Sequence, residues 1–315
     1  MLRTKALRKI FITTLSLFIL LTVYSIPSTE DNYTLKTNLE IESVTGLYTN
    51  SIYLLNENDY LVKSRILLDS TDTKEQVEKI LEQLIIQEHA NFPNGLKAYI
   101  PEKTKVLNVI CGDGKVTIDF SKEFLNMTVD KEKQVISGLV YSVLDLSDVG
   151  EVIILVEGEL LSEYPNTHEK LPNVLTKDIG INKSYDLTSR QNISKVVIYY
   201  LTEIDKNIYY VPVTKYVNDS RDKIKIIVEQ LASSYIYENN LMSFLHSNVQ
   251  LLDYYEQENV MFLNFNDYLF DNNDKVLEEV LYSIAYSVFD NYDVHMVMFE
   301  VNDKNIKQIS KKELP

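Results

Sequence analysis

The sequence contains no tryptophan, one cysteine, four histidines, eight glycines and seven prolines in 315 residues. With Cys111 alone, an internal disulfide framework and a multi-cysteine metal site are both excluded. So few glycines and prolines exclude a long linker-like or low-complexity chain. Cations are also scarce, 31 Lys and Arg against 46 Asp and Glu, for a net charge of −15. Nucleic-acid binding needs clustered cations to neutralise phosphates, so no nucleic-acid partner is expected. His89, His168, His246 and His295 form no His-x-His or His-x₃-His pair, and neither a metal nor another cofactor is expected.

Apolar residues make up 45% of the chain, which at this length is enough for about two packed domains. Arg3, Lys5, Arg8 and Lys9 precede an apolar run over 10–23, broken by Thr13, Thr14, Ser16 and Thr22. A basic start followed by a short apolar stretch has the form of an export signal. It is short for a spanning helix, which wants about 20 residues. Residues 1–26 are therefore expected to be a signal sequence or a membrane anchor, two alternatives left open at this point. Either one places the rest of the chain outside the cytoplasmic membrane, anchored to it or secreted. Residues 27–50 read as a polar spacer.

The remainder is organised around a stretch that occurs twice. The run 77–84 (VEKILEQL) is echoed by 224–231 (IKIIVEQL), at an offset of 147. Both place apolar residues at i, i+3, i+4 and i+7, the spacing of a helix with one buried face. Each follows an acidic start, Asp72 with Glu75 and Asp219 with Asp222, suited to capping a helix N-terminus. Around the first helix, expected over 73–88, lie a hairpin (52–55 and 60–68) and a second one, whose strands 106–110 and 116–120 flank an Asp-Gly turn. A second helix over 131–145 and an apolar strand over 152–156, expected to be buried on both faces, complete the unit. The second unit repeats the order. Leu263-Asn264-Phe265 stands for Ile118-Asp119-Phe120 at an offset of 145, and Tyr282-Ser283 for Tyr141-Ser142 at 141. The pattern predicts an α+β fold of two tandem ββαββαβ units, each a small sheet with helices on one face. The units are expected over 51–158 and 196–303, with a linker at 159–195 and a tail at 304–315.

No catalytic constellation emerges, and an enzyme is not expected. Cys111 sits at a hairpin turn with no histidine nearby and no counterpart in the second unit. Gly112-Asp113-Gly114-Lys115 lacks the earlier glycine of a phosphate loop and precedes a strand. Asp119 has no acid spaced to pair with it. The run Asp271-Asn272-Asn273-Asp274 has Tyr282 where a calcium loop needs a bidentate glutamate, and reads as a polar cap for the following helix. The 22 tyrosines include a group in the second unit, Tyr199, Tyr200, Tyr209, Tyr210, Tyr254 and Tyr255. These six are the candidate interaction surface, for a protein interface or for stacking on envelope polysaccharide.

The run 99–106 (YIPEKTKV), followed by 112–121 (GDGKVTIDFS), resembles the GerM domain (GerMN) family. Ile52-Tyr53 and Glu82-Gln83-Leu84 match that family's opening strand and helix, and Leu171-Pro172-Asn173-Val174-Leu175-Thr176 is similar to its inter-repeat segment. The second unit lacks the Ile-Pro motif and the glycine turn. The resemblance implies a fold similar to ring-building modules. It also implies a non-enzymatic scaffold or assembly protein of the cell envelope, active in spore formation or germination. Its implied partners are channel proteins between mother cell and forespore, other envelope proteins, further copies of itself, and the membrane through the N-terminal segment. Such proteins are often lipoproteins, but no cysteine follows the apolar run here, which leaves an uncleaved helix or release.

Overall fold

The computed structural model describes residues 48–87, 92–93, 95–233, 241–271 and 273–314. The expected signal or anchor, and nearly all of the spacer, lie outside the described residues. The first copy opens with the antiparallel hairpin β1 (Tyr48–Asn56) and β2 (Leu61–Leu68). Helix α1 (Thr73–Leu84) follows, and the Asp72 carboxylate accepts from the Glu75 N–H as anticipated. Its buried face is Val77, Ile80, Leu81 and Leu84, each worth about 1.5–3 kcal/mol on removal from water. The helix stops at Leu84 rather than 88. Ile85 turns extended and bridges Ile100, while the N–H groups of Tyr99 and Ile100 both donate to the Leu84 carbonyl.

After the two-residue β3 (Leu96–Lys97) come β4 (Val106–Gly112) and β5 (Lys115–Phe120), joined through Asp113 (φ 51°) and Gly114 (φ 73°). Positive φ at both central residues matches the right-handed strand twist, which is why Asp-Gly closes hairpins well. Helix α2 (Glu132–Val143) then returns the chain so that β6 (Glu151–Val156) pairs with β5 in parallel. The short β7 (Glu159–Leu160) ends the copy. Strand β6 alternates: Val152, Ile154 and Val156 are buried, while Ile153 and Leu155 are only half-buried. It is not enclosed on both faces, as the unbroken apolar run had suggested.

The second copy repeats this with β9 (Ile193–Ile204), β10 (Asn207–Asn218), α3 (Lys223–Ala232), β11 (Leu251–Gln257), β12 (Val260–Phe265), α4 (Glu278–Asn291), β13 (Met296–Val301) and β14 (Lys304–Ser310). Helix α3 begins after Asp222, whose side chain makes no cap hydrogen bond, and Asp219 instead binds Arg221. The expected Asp219 cap is therefore corrected. Strand β14 occupies residues set aside as a tail, because an Asn302-Asp303 turn (φ 48° and 64°) folds them back onto β13. Asp271 does not cap α4. Its carboxylate closes its own loop by accepting from the N–H groups of Asn273 and Lys275, and Leu277 precedes the helix.

The α+β class, with small sheets and four α-helices among the described residues, is as expected. What the pattern did not disclose is how the strands divide. Strands β4-β5-β6-β7 form one sheet and β11-β12-β13-β14 its counterpart, whereas the two opening hairpins share a third. In that shared sheet β9 pairs along one edge of β10. On the other edge β2 meets β10 at Lys63 and Tyr210, and the short β8 (Ser184–Asp186) meets it further along. Helix α2 packs on β1 and α4 on β9, and one large apolar cluster runs through both copies, beside a small one of Val197, Tyr199 and Tyr286. The segment between the copies is ordered and stitches them. Buried Glu132 accepts from the N–H groups of Asn166 and Thr167, Leu175 bridges Val152, and Asn182 bonds to Leu61 and to the Pro212 carbonyl.

Candidate functional site

The polar centre of the molecule grows from one motif used twice. Tyr141 and Ser142 in the last turn of α2, with Asp145 just past its C-terminus, are matched by Tyr286, Ser287 and Asp290 on α4 at a constant offset of 145. The Tyr53 N–H donates to Ser142 Oγ at 2.9 Å, and the Tyr199 N–H donates to Ser287 Oγ at 2.9 Å. Each serine hydroxyl in turn donates to the carbonyl four residues back, Gly138 and Ser283, at 2.7 Å. The helix–strand contact is thus hydrogen-bonded identically in both copies. The equivalent of Tyr141-Ser142 is therefore Tyr286-Ser287 and not Tyr282-Ser283, because the latter pair lies one turn earlier on α4.

These two centres meet. The hydroxyls of Tyr53 and Tyr199 are 3.5 Å apart, and the Lys63 ammonium lies over the rings of Tyr53 (5.7 Å) and Tyr286 (5.0 Å). Asp145 accepts from Lys63 at 3.1 Å and from the Ser51 N–H at 3.2 Å. Asp290 accepts from Lys177 at 2.6 Å and from the Tyr199 hydroxyl at 2.6 Å. Tyr141 packs edge-on to Tyr53, and Tyr286 stacks on Tyr199 at 4.9 Å. Burial pushes both aspartates up, but Lys63 and Lys177 outweigh it and hold them below the usual carboxylate range. Burial alone would lower Lys177, yet Asp290 and Asp145 raise it above an ordinary lysine. Burial drives the hydroxyls of Tyr53, Tyr141, Tyr199 and Tyr286 well above their usual value, so they stay protonated. Charges in this seam are mutually neutralised, and the arrangement suits a joint between modules.

The six tyrosines expected to share a surface do not. Tyr199 and Tyr200 are buried on β9, so the sequence expectation is corrected for both. Alternation along that strand sends their side chains to opposite faces, and this stretch of β9 is enclosed on both. Tyr209 and Tyr210 are half-buried, with Tyr210 packed against Tyr282 and Tyr286. The Tyr254 hydroxyl bonds to Asp222 and its ring lies under Lys225, which also explains why Asp222 does not cap α3. Tyr255 alone of the six is exposed, stacked on Phe262 at 4.5 Å.

The other candidates also resolve into structural roles. Asp119 accepts from the Gly158 N–H, and Asn264 accepts from the matching Asp303 N–H, so each pins the next turn. His168 lies 3.0 Å from Glu163, His246 stacks on Tyr268, His295 is exposed, and His89 is outside the described residues. Among the described residues no three His, Cys, Asp or Glu side chains gather as a metal set would. A depression of about 220 Å³ beside α3 includes Asp219, Arg221 and Glu229, but Arg221 bridges the two acids. A second, of about 330 Å³, lies by Leu144, Val149 and Lys177 at the rim of the seam. The motif Tyr-Ser-x-x-Asp at 141–145 and 286–290 was the one signal that could have revealed the seam from sequence.

The fold and seam define a class, that of a tandem α+β repeat protein whose two modules are joined through a shared sheet and a buried polar centre. The Germane family model, described as sporulation and spore germination, matches residues 51–162 and again 197–307, and the chain belongs to this family. It is 28% identical over 266 residues to the spore germination protein GerM of Bacillus subtilis strain 168, covering 81% of this chain and 71% of that protein. It is also similar to the solved structure of the tandem GerMN domains of the sporulation protein GerM from Bacillus subtilis. There the TM-score is 0.77 at 25% identity, over 85% of this chain and 98% of that one. Neither description names an enzymatic activity.

Proposed function

We propose that the protein is a non-enzymatic scaffold of the cell envelope that acts in spore formation or germination through protein contacts. Exported and held by its N-terminal segment, or released after cleavage, it works beside the channel complex between mother cell and forespore. The observation that carries this reading is the seam. A chain that uses its buried charges and the hydroxyls of Tyr53, Tyr141 and Tyr199 to lock two modules into one body has the fixed geometry that a scaffold needs. Family membership and the GerM relatives supply the cellular context. A polysaccharide-binding role has less support, since Tyr199 and Tyr200 are buried and Tyr254 is engaged with Asp222.

The test is a fluorescent fusion in sporulating cells of the source organism, paired with the spore yield of a deletion. Enrichment at the engulfed forespore with reduced yield is the expected result. Uniform envelope signal with normal yield would overturn the scaffold role.

A further inference from the structure

In each copy one strand ends the four-stranded sheet, β4 in the first, with α1 packed against it, and β11 in the second. Among the described residues neither strand has a second strand partner. Unpaired N–H and C=O groups along such an edge are a template for another strand, and exposed apolar side chains strengthen it. Both edges carry apolar residues at equivalent positions, 145 apart: Leu107 (48% exposed) with Leu252 (52%), and Ile110 (59%) with Tyr255 (46%). Both also carry a bulge at the matching place, Val106/Asn108 and Leu251/Asp253, which confines the regular edge to 108–112 and 253–257.

Charge is where the two edges part. Exposed Lys103 and Lys105 lead into β4, where β11 is preceded by Asn248 and Gln250. Exposed Asp253 and Glu256 lie on β11, followed by Glu258 in its turn, where β4 has Asn108 and Cys111 and its turn Asp113. An edge that pairs with its own kind gains nothing from this difference, whereas β4 against β11 brings opposite charges together. Direction follows as well. Only an antiparallel pairing sets Lys103 and Lys105, at the start of β4, beside Glu256 and Glu258 at the end of β11.

We propose that the partner of these edges is a second copy of this chain, with β4 of one molecule pairing antiparallel with β11 of the next. The contact is heterologous, so a joined pair still has one free β4 and one free β11, and the assembly grows into a ring or a filament. This deepens the scaffold reading and rests on it.

The native thiol makes the contact readable. In the antiparallel register that sets Lys105 opposite Glu258, Cys111 falls opposite Leu252 at the bulge, so the full chain carrying Leu252→Cys, oxidised at high protein concentration, should give an intermolecular disulfide ladder. Oxidation is run at alkaline pH, because burial pushes the Cys111 thiol above its usual value. The ladder should vanish with Cys111→Ser. It should fall at least about tenfold with Lys103→Glu and Lys105→Glu together, and recover when Glu256→Lys and Glu258→Lys are added. Dimers from Cys111 alone, a ladder with Gln257→Cys in place of Leu252→Cys, insensitivity to the charge reversal, or no ladder from a folded protein would each overturn the proposal. A deletion that lowers spore yield while no ladder forms removes the edge contact and leaves the scaffold. A ladder with normal spore yield does the reverse.

Discussion

The two copies carry the same tyrosine–serine–aspartate centre and neutralise it from different places. In the first copy Asp145 takes its cation from Lys63 on the copy's own hairpin, and its side chain is partly exposed. In the second, Asp290 takes Lys177 from the connecting segment and adds the Tyr199 hydroxyl, with a side chain only 7% exposed. The second copy therefore depends on residues that arrive from outside it, and the connector is part of its core. Its hairpin is also longer, twelve residues in each strand, which extends β10 far enough to receive both β2 and β8. A duplicated module has kept its helix–strand joint and diverged in how that joint is closed.

The comparison breaks first at the aspartates. Replacing Asp290→Ala leaves Lys177 and the Tyr199 hydroxyl without their acceptor. The expected loss is about 3 kcal/mol, at the low end for a buried pair because Lys177 still reaches solvent. The matching Asp145→Ala should cost less, since Asp145 is itself 21% exposed against 7% for Asp290 and holds no buried tyrosine hydroxyl. Denaturant midpoints of the two variants, at constant slope, decide it, and equal losses would remove the asymmetry.

Acid probes the same pair without mutation. Both aspartates are depressed in the folded state, so their contribution is complete above an unfolded value of about 3.9 and is lost as pH falls through the lower folded value. Lys177 is raised, so its contribution holds below about 10.4 and is lost as pH rises through the folded value. The acid arm of a melting-temperature profile should flatten in Asp290→Asn.

The residue under the joint differs next. A β-carbon at Gly138 would lie 2.5 Å from the Tyr99 hydroxyl oxygen and 2.7 Å from a Leu61 methyl carbon. Gly138→Ala should therefore cost about 1–3 kcal/mol by overpacking. Its counterpart Ser283 already has that carbon, and its buried hydroxyl has no hydrogen-bond partner among the described residues. Ser283→Ala should be neutral or stabilising by up to about 1 kcal/mol. Thermal unfolding of the pair sharpens the contrast, and a costly Ser283→Ala would mean that this hydroxyl is satisfied.

The smallest effect belongs to the turns. Glu258 (φ 52°) and Asn259 (φ 59°) adopt the shape that Asp113 and Gly114 adopt in the first copy. Asn259→Gly should raise stability by no more than about 0.5 kcal/mol, because asparagine already tolerates this region, while Gly114→Ala should lower it by about 1 kcal/mol. Melting temperatures of the two variants should move in opposite directions.

Much of this fold was legible because its causes are local. Apolar spacing marked α1 and α3, Asp-Gly marked the β4–β5 turn, and an offset near 145 disclosed the duplication. Errors arose where two local readings fit equally well. Tyr-Ser occurs twice on α4, at 282–283 and 286–287, and only the hydrogen bond to the Tyr199 N–H selects the second. Strand β14 was missed because its side chains are mostly polar, and it exists through pairing with β13.

By itself the sequence determined two α+β copies, their helices and their turns, since periodicity and turn chemistry act over a few residues. Only the tertiary structure decided that the opening hairpins share one sheet, that the tyrosines turn inward, and that Lys177 closes the second copy. Those contacts join residues such as Tyr53 and Tyr199, 146 positions apart. Burial and charge pairing fix them, and no local pattern encodes which distant partner arrives.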